Sequence, residues 1–290
     1  MFEEFARRTI TTTGATINVV TAGSGPPVLL LHGYPETHTM WHKVAPRLAE
    51  DFTVVVPDLR GYGDSSKPSD GENHFGYSKR ATAQDQVEIM QQLGFTKFAV
   101  VGHDRGARVA HRLTRDHPER VAKLAVLDII PTYTVYQNVN KALATAYYHW
   151  FFLIQPAPLP ETLISSNAEF YLNSMLGLGK LKPHAITPEA FAEYLRCFRN
   201  PATVHVTCED YRAGATIDLE HDEADLDRKM TCPVLALWGE KGFLHKRHDV
   251  TAIWRERAVD VRGKALPCGH FLPEEAPEET LTELRSFLKT

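Results

Sequence analysis

Cysteine is scarce in this chain, four residues in 290 (Cys197, Cys208, Cys232 and Cys268), far apart and without a CxxC pair. That excludes a disulfide scaffold and the common zinc and dithiol motifs, and it suits reduced thiols in a cytoplasm. Cys268 reads as a small apolar residue at a strand end. Long apolar runs are missing as well: nothing approaches the ~18 residues that a membrane span needs. The amino terminus, MFEEFARRTI, has no charged-then-apolar leader pattern, so a cytoplasmic protein that makes no use of a membrane is expected. Nor does one sign of charge dominate. With 32 Lys and Arg against 36 Asp and Glu, the formal net charge is -4, which gives no global attraction to nucleic acid, so an anionic ligand requires a local cationic site. Fourteen histidines include an HxxH at His245 and His248 and a pair four apart at His38 and His42. Neither has a third ligand at metal spacing, and no metal or other cofactor is expected.

What is present is an ordinary soluble composition, 43% hydrophobic and 23% charged, arranged in an alternating order. Short β-branched apolar runs begin at Val28 (VLLLHG), Phe52 (FTVVVPD), Phe98 (FAVVGHD), Leu124 (LAVLDII) and Val234 (VLALWGE), with DVRGKALP from Asp260. Buried parallel strands read this way. Between them, residues 39–50, 78–94, 105–117 and 276–288 carry apolar side chains at helical spacing. Two alternating stretches, 5–11 and 16–21, point to antiparallel strands ahead of the first parallel one. The class is α/β. After Ile130 the rhythm breaks: an aromatic and proline-rich stretch, 131–212, has helical segments at 142–152 and 188–198 and no strand. The expected organisation is a core of 1–130 and 213–290 interrupted by a helical cap at 131–212, set over the strand ends where open α/β sheets bind ligands.

The segment FAVVGHDRGARVAHRL carries the strongest functional signal. A strand runs into Gly102, His103, Asp104, Arg105, Gly106 and then a helix, the small-x-nucleophile-x-small frame that exposes one side chain on a sharp turn, with Asp in place of the usual Ser. A helix N-cap is the plainer alternative. The catalytic reading is favoured by the HGYP at His32 and the DLRGYGDS at Asp58 that precede it. A carboxylate nucleophile attacks saturated carbon, and the ester it forms can be hydrolysed at its own carbonyl. Backbone N–H groups of Arg105 and of Tyr34 would hold the oxyanion of that second step. His270, in PCGHFLPEEAPEE after the last strand, is the expected base. At the usual place of its orienting acid stands Gly242, so Asp128, at the end of the neighbouring strand, is the first candidate and Glu240 the reserve.

Arg105 follows Asp104 at a helix start, where the dipole disfavours a cation, and Arg108 lies three residues on. Two guanidinium groups beside the nucleophile form a carboxylate clamp and keep Asp104 ionised; pairing with a surface acid is the alternative for either one. In the cap, TAYYHWFFLIQP from Thr145 brings His149 and Trp150, and Tyr211 stands near the return to the core. Many such aromatics are simply core, yet imidazole, indole and phenol each offer a donor to a leaving halide, which is costly to strip of water.

Together GHDRGARVAHR, HGYPETHTMW, DLRGYGDSSKP and YYHWFFLIQP resemble the haloacetate dehalogenase family of α/β-hydrolases, fluoroacetate dehalogenases among them, over nearly the whole chain. The resemblance implies Asp104 as nucleophile, His270 as base, Asp128 as its acid, Arg105 and Arg108 on the substrate carboxylate, and His149, Trp150 and Tyr211 on the halide. Tyr34 is set apart from the hydroxyl-free aromatic common at that place. The implied substrate is a short 2-halo acid, with no cofactor, and a homodimer is common among such proteins. An epoxide hydrolase shares the Asp elbow and uses cap tyrosines, here Tyr147, Tyr148 or Tyr211, but a neutral epoxide has no use for two arginines. A ligand receptor that has lost turnover is a third reading, and the intact Asp104 and His270 speak against it.

Overall fold

Strands β1 (Ala6–Thr11) and β2 (Thr16–Ala22) pair antiparallel, and β2 continues antiparallel onto β4 (Thr53–Pro57). From there the sheet is parallel, through β3 (Pro27–Leu31), β5 (Phe98–His103), β6 (Val121–Leu127), β7 (Val234–Gly239) and β8 (Val261–Leu266). The spatial order is β1-β2-β4-β3-β5-β6-β7-β8. The structure is a computed structural model and describes residues 1–178 and 185–290. Each apolar run expected to be a strand is one. β5 is buried at every residue, as a central parallel strand must be when helices cover both faces, and it carries the elbow at its end.

The core helices follow the chain. Helix α1 (Ala45–Leu48) is one short turn preceded by a 3₁₀ turn at His38–Trp41; the single helix expected over 39–50 is divided there, with Pro46 in the first turn of the second piece, where a residue that lacks an N–H is tolerated. Helix α2 (Lys79–Gln92) is capped by the Ser78 hydroxyl, which accepts from the Ala81 N–H. Helix α3 (Asp104–Asp116) springs directly from β5.

The cap runs through α4 (Thr132–Gln137), α5 (Lys141–Ala146), α6 (Tyr148–Leu153), α7 (Leu159–Ser166), α8 (Ala168–Leu176), α9 (Pro188–Phe198), α10 (Pro201–Ala215) and α11 (Ile217–Glu223). The boundary expected at 212 falls inside α10. Nothing breaks the helix at that point, since Gly214 stays helical with its bare face against the Arg105 guanidinium, and helical structure persists to Glu223. The helix expected over 142–152 is likewise two: at Tyr147 the backbone leaves helical geometry, and the Tyr147 ring stacks on Trp150 at 5.7 Å. The chain then returns through β7, α12 (Phe243–Arg247), α13 (Val250–Arg255), β8, α14 (Leu272–Glu275) and α15 (Pro277–Lys289). Among the described residues no helix is long and apolar enough to cross a membrane.

Candidate active site

Backbone strain marks the elbow. Asp104 has φ of +45°, a left-handed conformation that costs a non-glycine residue about 1–3 kcal/mol and survives where its surroundings enforce it. They do so by close packing. A Cβ on Gly106 would lie 2.4 Å from the His32 carbonyl oxygen, and one on Gly102 would lie 2.5 Å from that of Gly106. His103, not Asp104, occupies the N-cap position of α3, so the capping alternative for Asp104 does not hold. Its carboxylate instead takes two backbone donors on one oxygen: the Arg105 N–H reaches Oδ1 at 2.6 Å and the Tyr34 N–H at 3.5 Å. These are the two amides expected to hold an oxyanion.

The other oxygen, Oδ2, faces His270 Nε2 at 3.7 Å, while His270 Nδ1 is 2.6 Å from Asp128 Oδ2. Asp128 is itself strained, at φ +53°, and is held by the Gly239 N–H donating to Oδ1 at 2.9 Å. Glu240, the reserve candidate, is exposed on the next strand end, so the carboxylate that reaches the imidazole is Asp128. Burial alone would lower the His270 pKa, but the Asp128 hydrogen bond and the charges of Asp128 and Asp104 raise it to about 9. Burial would likewise discharge Asp104. His270, Arg108, His103 and Arg105 outweigh it and hold the carboxyl below its ordinary range, hence ionised.

A cavity of about 470 Å³ opens over these groups. Asp104, Asp128 and His270 line it from the core; Tyr34, Arg108, His149, Trp150 and Tyr211 close it from the loop after β3, helix α3 and the cap. The two arginines part company here. Arg105 is almost wholly buried with its guanidinium turned to Asp210: Nε donates to Oδ2 at 2.8 Å, and Nη2 to Oδ1 at 3.0 Å and to the backbone carbonyl at 2.6 Å. It packs on the Tyr211 ring, 4.1 Å from its centroid, and is not among the cavity-lining residues. Asp210, 105 positions away in sequence, supplies the counter-charge that the dipole of α3 denies. Arg108 has no such partner. Its Nη1 donates to the Ile130 carbonyl at 3.1 Å and the Thr132 hydroxyl at 3.0 Å, and the guanidinium stacks over Trp150 at 4.6 Å. Among the described residues it forms no ion pair, and its buried Nε has no hydrogen-bond partner.

The three cap donors come together. Tyr211 packs edge-on against His149 at 5.7 Å and Trp150 at 6.0 Å, and its buried hydroxyl has no partner among the described residues, a deficit worth about 1–3 kcal/mol to any acceptor that fills it. Burial and the nearby Asp104 keep Tyr211 a phenol, and burial lowers the His149 pKa to about 4, leaving a neutral imidazole. The Tyr34 hydroxyl donates to that of Tyr171 at 3.4 Å. Away from the cavity, Asp70, His74 and Glu209 bring potential metal-ligand atoms within 4.8 Å of one another, but His74 Nδ1 and Glu209 already meet at 2.5 Å as a contact between core and cap. Sequence reasoning missed Asp210, Thr132 and the Ile130 carbonyl, none of which carries a local signal.

Residues 26–277 match the family model of the alpha/beta hydrolase fold. A fluoroacetate dehalogenase from Burkholderia sp is 48% identical over 289 residues, covering 99% of this chain and 95% of that one. The chain belongs to the α/β-hydrolase family, in its haloacetate dehalogenase branch. A soluble epoxide hydrolase from Corynebacterium sp. (strain C12) is 38% identical, with 94% of each chain covered. Among solved structures, a Pseudomonas aeruginosa protein described as a candidate epoxide hydrolase, in a single-substitution variant with bound MFA, superposes with a TM-score of 0.92 at 46% identity, covering 99% of this chain and 96% of that one. This α/β-hydrolase thus has relatives of both reaction types, which makes the charge lining the cavity the feature that separates them.

Proposed function

We propose that this hydrolase converts a short 2-halo acid, such as fluoroacetate or chloroacetate, to the hydroxy acid and halide. The observation that carries the reading is Arg108: a buried guanidinium without a carboxylate partner among the described residues, on the wall of the cavity that holds Asp104 and His270. Asp104 acts on Arg108 only across space; a buried cation without a direct ion-pair partner is costly, and an acidic substrate supplies one. With its carboxylate on Arg108, the substrate presents its α-carbon to Asp104 Oδ2. That oxygen attacks, the carbon–halogen bond breaks, and the halide leaves with the bonding pair toward Tyr211, His149 and Trp150. His270 then takes a proton from water, whose oxygen adds to the ester carbonyl at Asp104. The Tyr34 and Arg105 N–H groups hold the oxyanion on Oδ1; collapse breaks the ester carbon–oxygen bond, the departing hydroxy acid takes back the proton from His270, and the proton left on the Asp104 carboxyl passes to water. Arg105 adds its charge from behind Tyr211 and fixes that residue through Asp210.

An epoxide is the second reading, favoured by the unpartnered Tyr211 hydroxyl and the epoxide hydrolase relative. A neutral epoxide leaves Arg108 without a direct ion-pair partner, and the halo acid is preferred for that reason. A single turnover in H₂¹⁸O tests the mechanism. One labelled oxygen should appear in Asp104 and none in the first product released; label in the first product alone would mean direct attack by water. Ion-selective measurement of fluoride and chloride from the matched acetates identifies the halogen. We further propose a cytoplasmic homodimer: no disulfide forms among the four cysteines, and Leu159, Leu163 and Phe170 on α7 and α8 are exposed, offering a second copy an apolar face. Light scattering should return twice the chain mass.

A further inference from the structure

Behind the site lies a second buried group of titratable side chains that the chemistry above does not use. Glu36, next to Pro35 of the HGYP turn, is 1% exposed, and neither carboxylate oxygen has a hydrogen-bond partner in the described structure. Its Oε2 is 3.3 Å from Nδ1 of His103, the residue immediately before Asp104. His103 Nε2 in turn lies 2.8 Å from the backbone carbonyl of His270. A carbonyl only accepts, so Nε2 carries the hydrogen and Nδ1 of a neutral ring presents a lone pair. That lone pair faces a carboxyl oxygen. The turn packs closely on the ring there, since a Cβ on Gly33 would come within 2.8 Å of Nδ1. On its other side Glu36 neighbours the carboxyl of Glu274, also 1% exposed. Two carboxylates meeting out of water cannot both be ionised. The Tyr194 hydroxyl, from cap helix α9, donates to Glu274 Oε1 at 3.0 Å. Lys43 Nζ donates to the carbonyls of Ala185 and Glu274, and Glu275 accepts from the N–H groups of Gly269 and Phe271.

We propose that Glu36 is a neutral acid that gives its hydrogen bond to Nδ1 of His103, and that it is thereby a positioning residue for His270: it keeps the His103 hydrogen on Nε2, where it ties down the His270 backbone. The proposal rests on His270 being the base of the proposed reaction. The groups facing Glu36 are Glu274 and Glu275 from α14, His103 and Asp104 from the elbow, His270 from the loop after β8, and Tyr194 from the cap. Burial raises the Glu36 pKa to about 8 against the opposing pull of His270. As pH rises through that value a full carboxylate forms 3.3 Å from Nδ1. The hydrogen of His103 is then drawn to Nδ1, and the bond to the His270 carbonyl is lost. Ester hydrolysis should slow on that alkaline side, with substrate binding unchanged.

The resting protein tests this without any substrate, so the result is independent of whether haloacetate is turned over. Infrared difference spectra between the wild type and Glu36→Gln should show the carbonyl stretch of a protonated acid lost in the variant. ¹⁵N-histidine NMR at neutral pH should show His103 neutral, with its hydrogen on Nε2, in both proteins. Glutamine can donate where the acid does, so Glu36→Gln should keep kcat within a few-fold while Glu36→Val lowers it about tenfold at unchanged KM. A doubly protonated His103, a hydrogen on Nδ1, or an infrared spectrum indifferent to Glu36→Gln would each overturn the proposal. Should Glu36→Val fail to fold, the infrared and NMR measurements on the wild type and Glu36→Gln decide without it: a band lost in Glu36→Gln with the His103 hydrogen on Nε2 supports the proposal, and an unchanged band or a hydrogen on Nδ1 overturns it.

Discussion

Arg108→Leu separates what the guanidinium does for the substrate from what it does for the fold. In the wild type its Nη1 donates to the Ile130 carbonyl and the Thr132 hydroxyl, bonds that a charged donor makes worth about 1.5–3 kcal/mol each. Against this stands the desolvation of a cation with no ion-pair partner among the described residues, an effective cost of several kcal/mol. The two nearly cancel, so the melting temperature of the ligand-free protein should move by no more than about 2–4 °C. Catalysis has no such offset. A carboxylate brought beside leucine loses its counter-charge in a site shielded from water, a loss of about 3–5 kcal/mol, which lowers kcat/KM for chloroacetate by a few hundred to a few thousand-fold. Chloroacetamide, neutral and of the same shape, is the control. Halide release from both compounds, followed with an ion-selective electrode, should show the variant losing its preference for the acid. Equal losses on acid and amide, or a loss on the acid below about tenfold, would refute the argument that Arg108 awaits an anion.

The other expectations concern the nucleophile, the base and the cap. Asp104→Asn should abolish halide release at once, and His270→Asn should release one equivalent of halide and stall with an adduct on Asp104 that intact-mass spectrometry detects; halide turnover without an adduct would point to another nucleophile. The two steps should also respond differently to acid. Asp104 is held below its ordinary carboxyl range, so ester formation survives acidification. Ester formation removes one of the charges that raise His270, so the neutral base that hydrolysis needs is lost as pH falls. Quenched samples in mildly acidic buffer should therefore contain more ester than those in mildly alkaline buffer. Asp210→Asn leaves Arg105 without a carboxylate partner, while Lys79 keeps Asp218, and should destabilise the fold by about 3–5 kcal/mol in urea titration.

The parts of this molecule that could be read from sequence were those whose cause is local. Strands β3 to β7 announce themselves because both faces are covered and nearly every position must be apolar; the elbow does so because a sharp strand-to-helix turn needs small residues on both sides of the exposed one. Asp128 was reachable as the first candidate, with Glu240 in reserve, since Gly242 leaves the customary position without an acid and Asp128 stands at the end of the adjacent strand. Helix breaks were harder. The interruption at Tyr147 reflects the stacking of Tyr147 on Trp150 and its contact with Phe243, a tertiary preference that helical periodicity does not encode. Hardest was the distinction between the two arginines. Both break the local rule for a helix start in the same way, and only the fold shows that Asp210 comes to one and not to the other.

That division has a consequence for how the cap meets the nucleophile. Arg105 is bonded through its backbone N–H to Asp104 and through its side chain to Asp210, whose neighbour Tyr211 stands over the cavity. One residue thus ties the carboxylate on the core to the phenol on the cap, and Lys79 and Tyr62 brace the same Asp210 from the core. Arg105→Lys keeps the charge but loses the planar fork that engages both carboxylate oxygens. Asp210 should then be held less firmly and the Tyr211 hydroxyl displaced, while Arg108, bonded to Ile130 and Thr132, stays in place. Inhibition by free halide should weaken in the variant, and inhibition by acetate, which has a carboxylate and no halogen, should stay near the wild-type value. If acetate inhibition is lost to the same degree, Arg105 reaches the substrate carboxylate during the reaction, and its pairing with Asp210 is a resting arrangement that the ligand displaces.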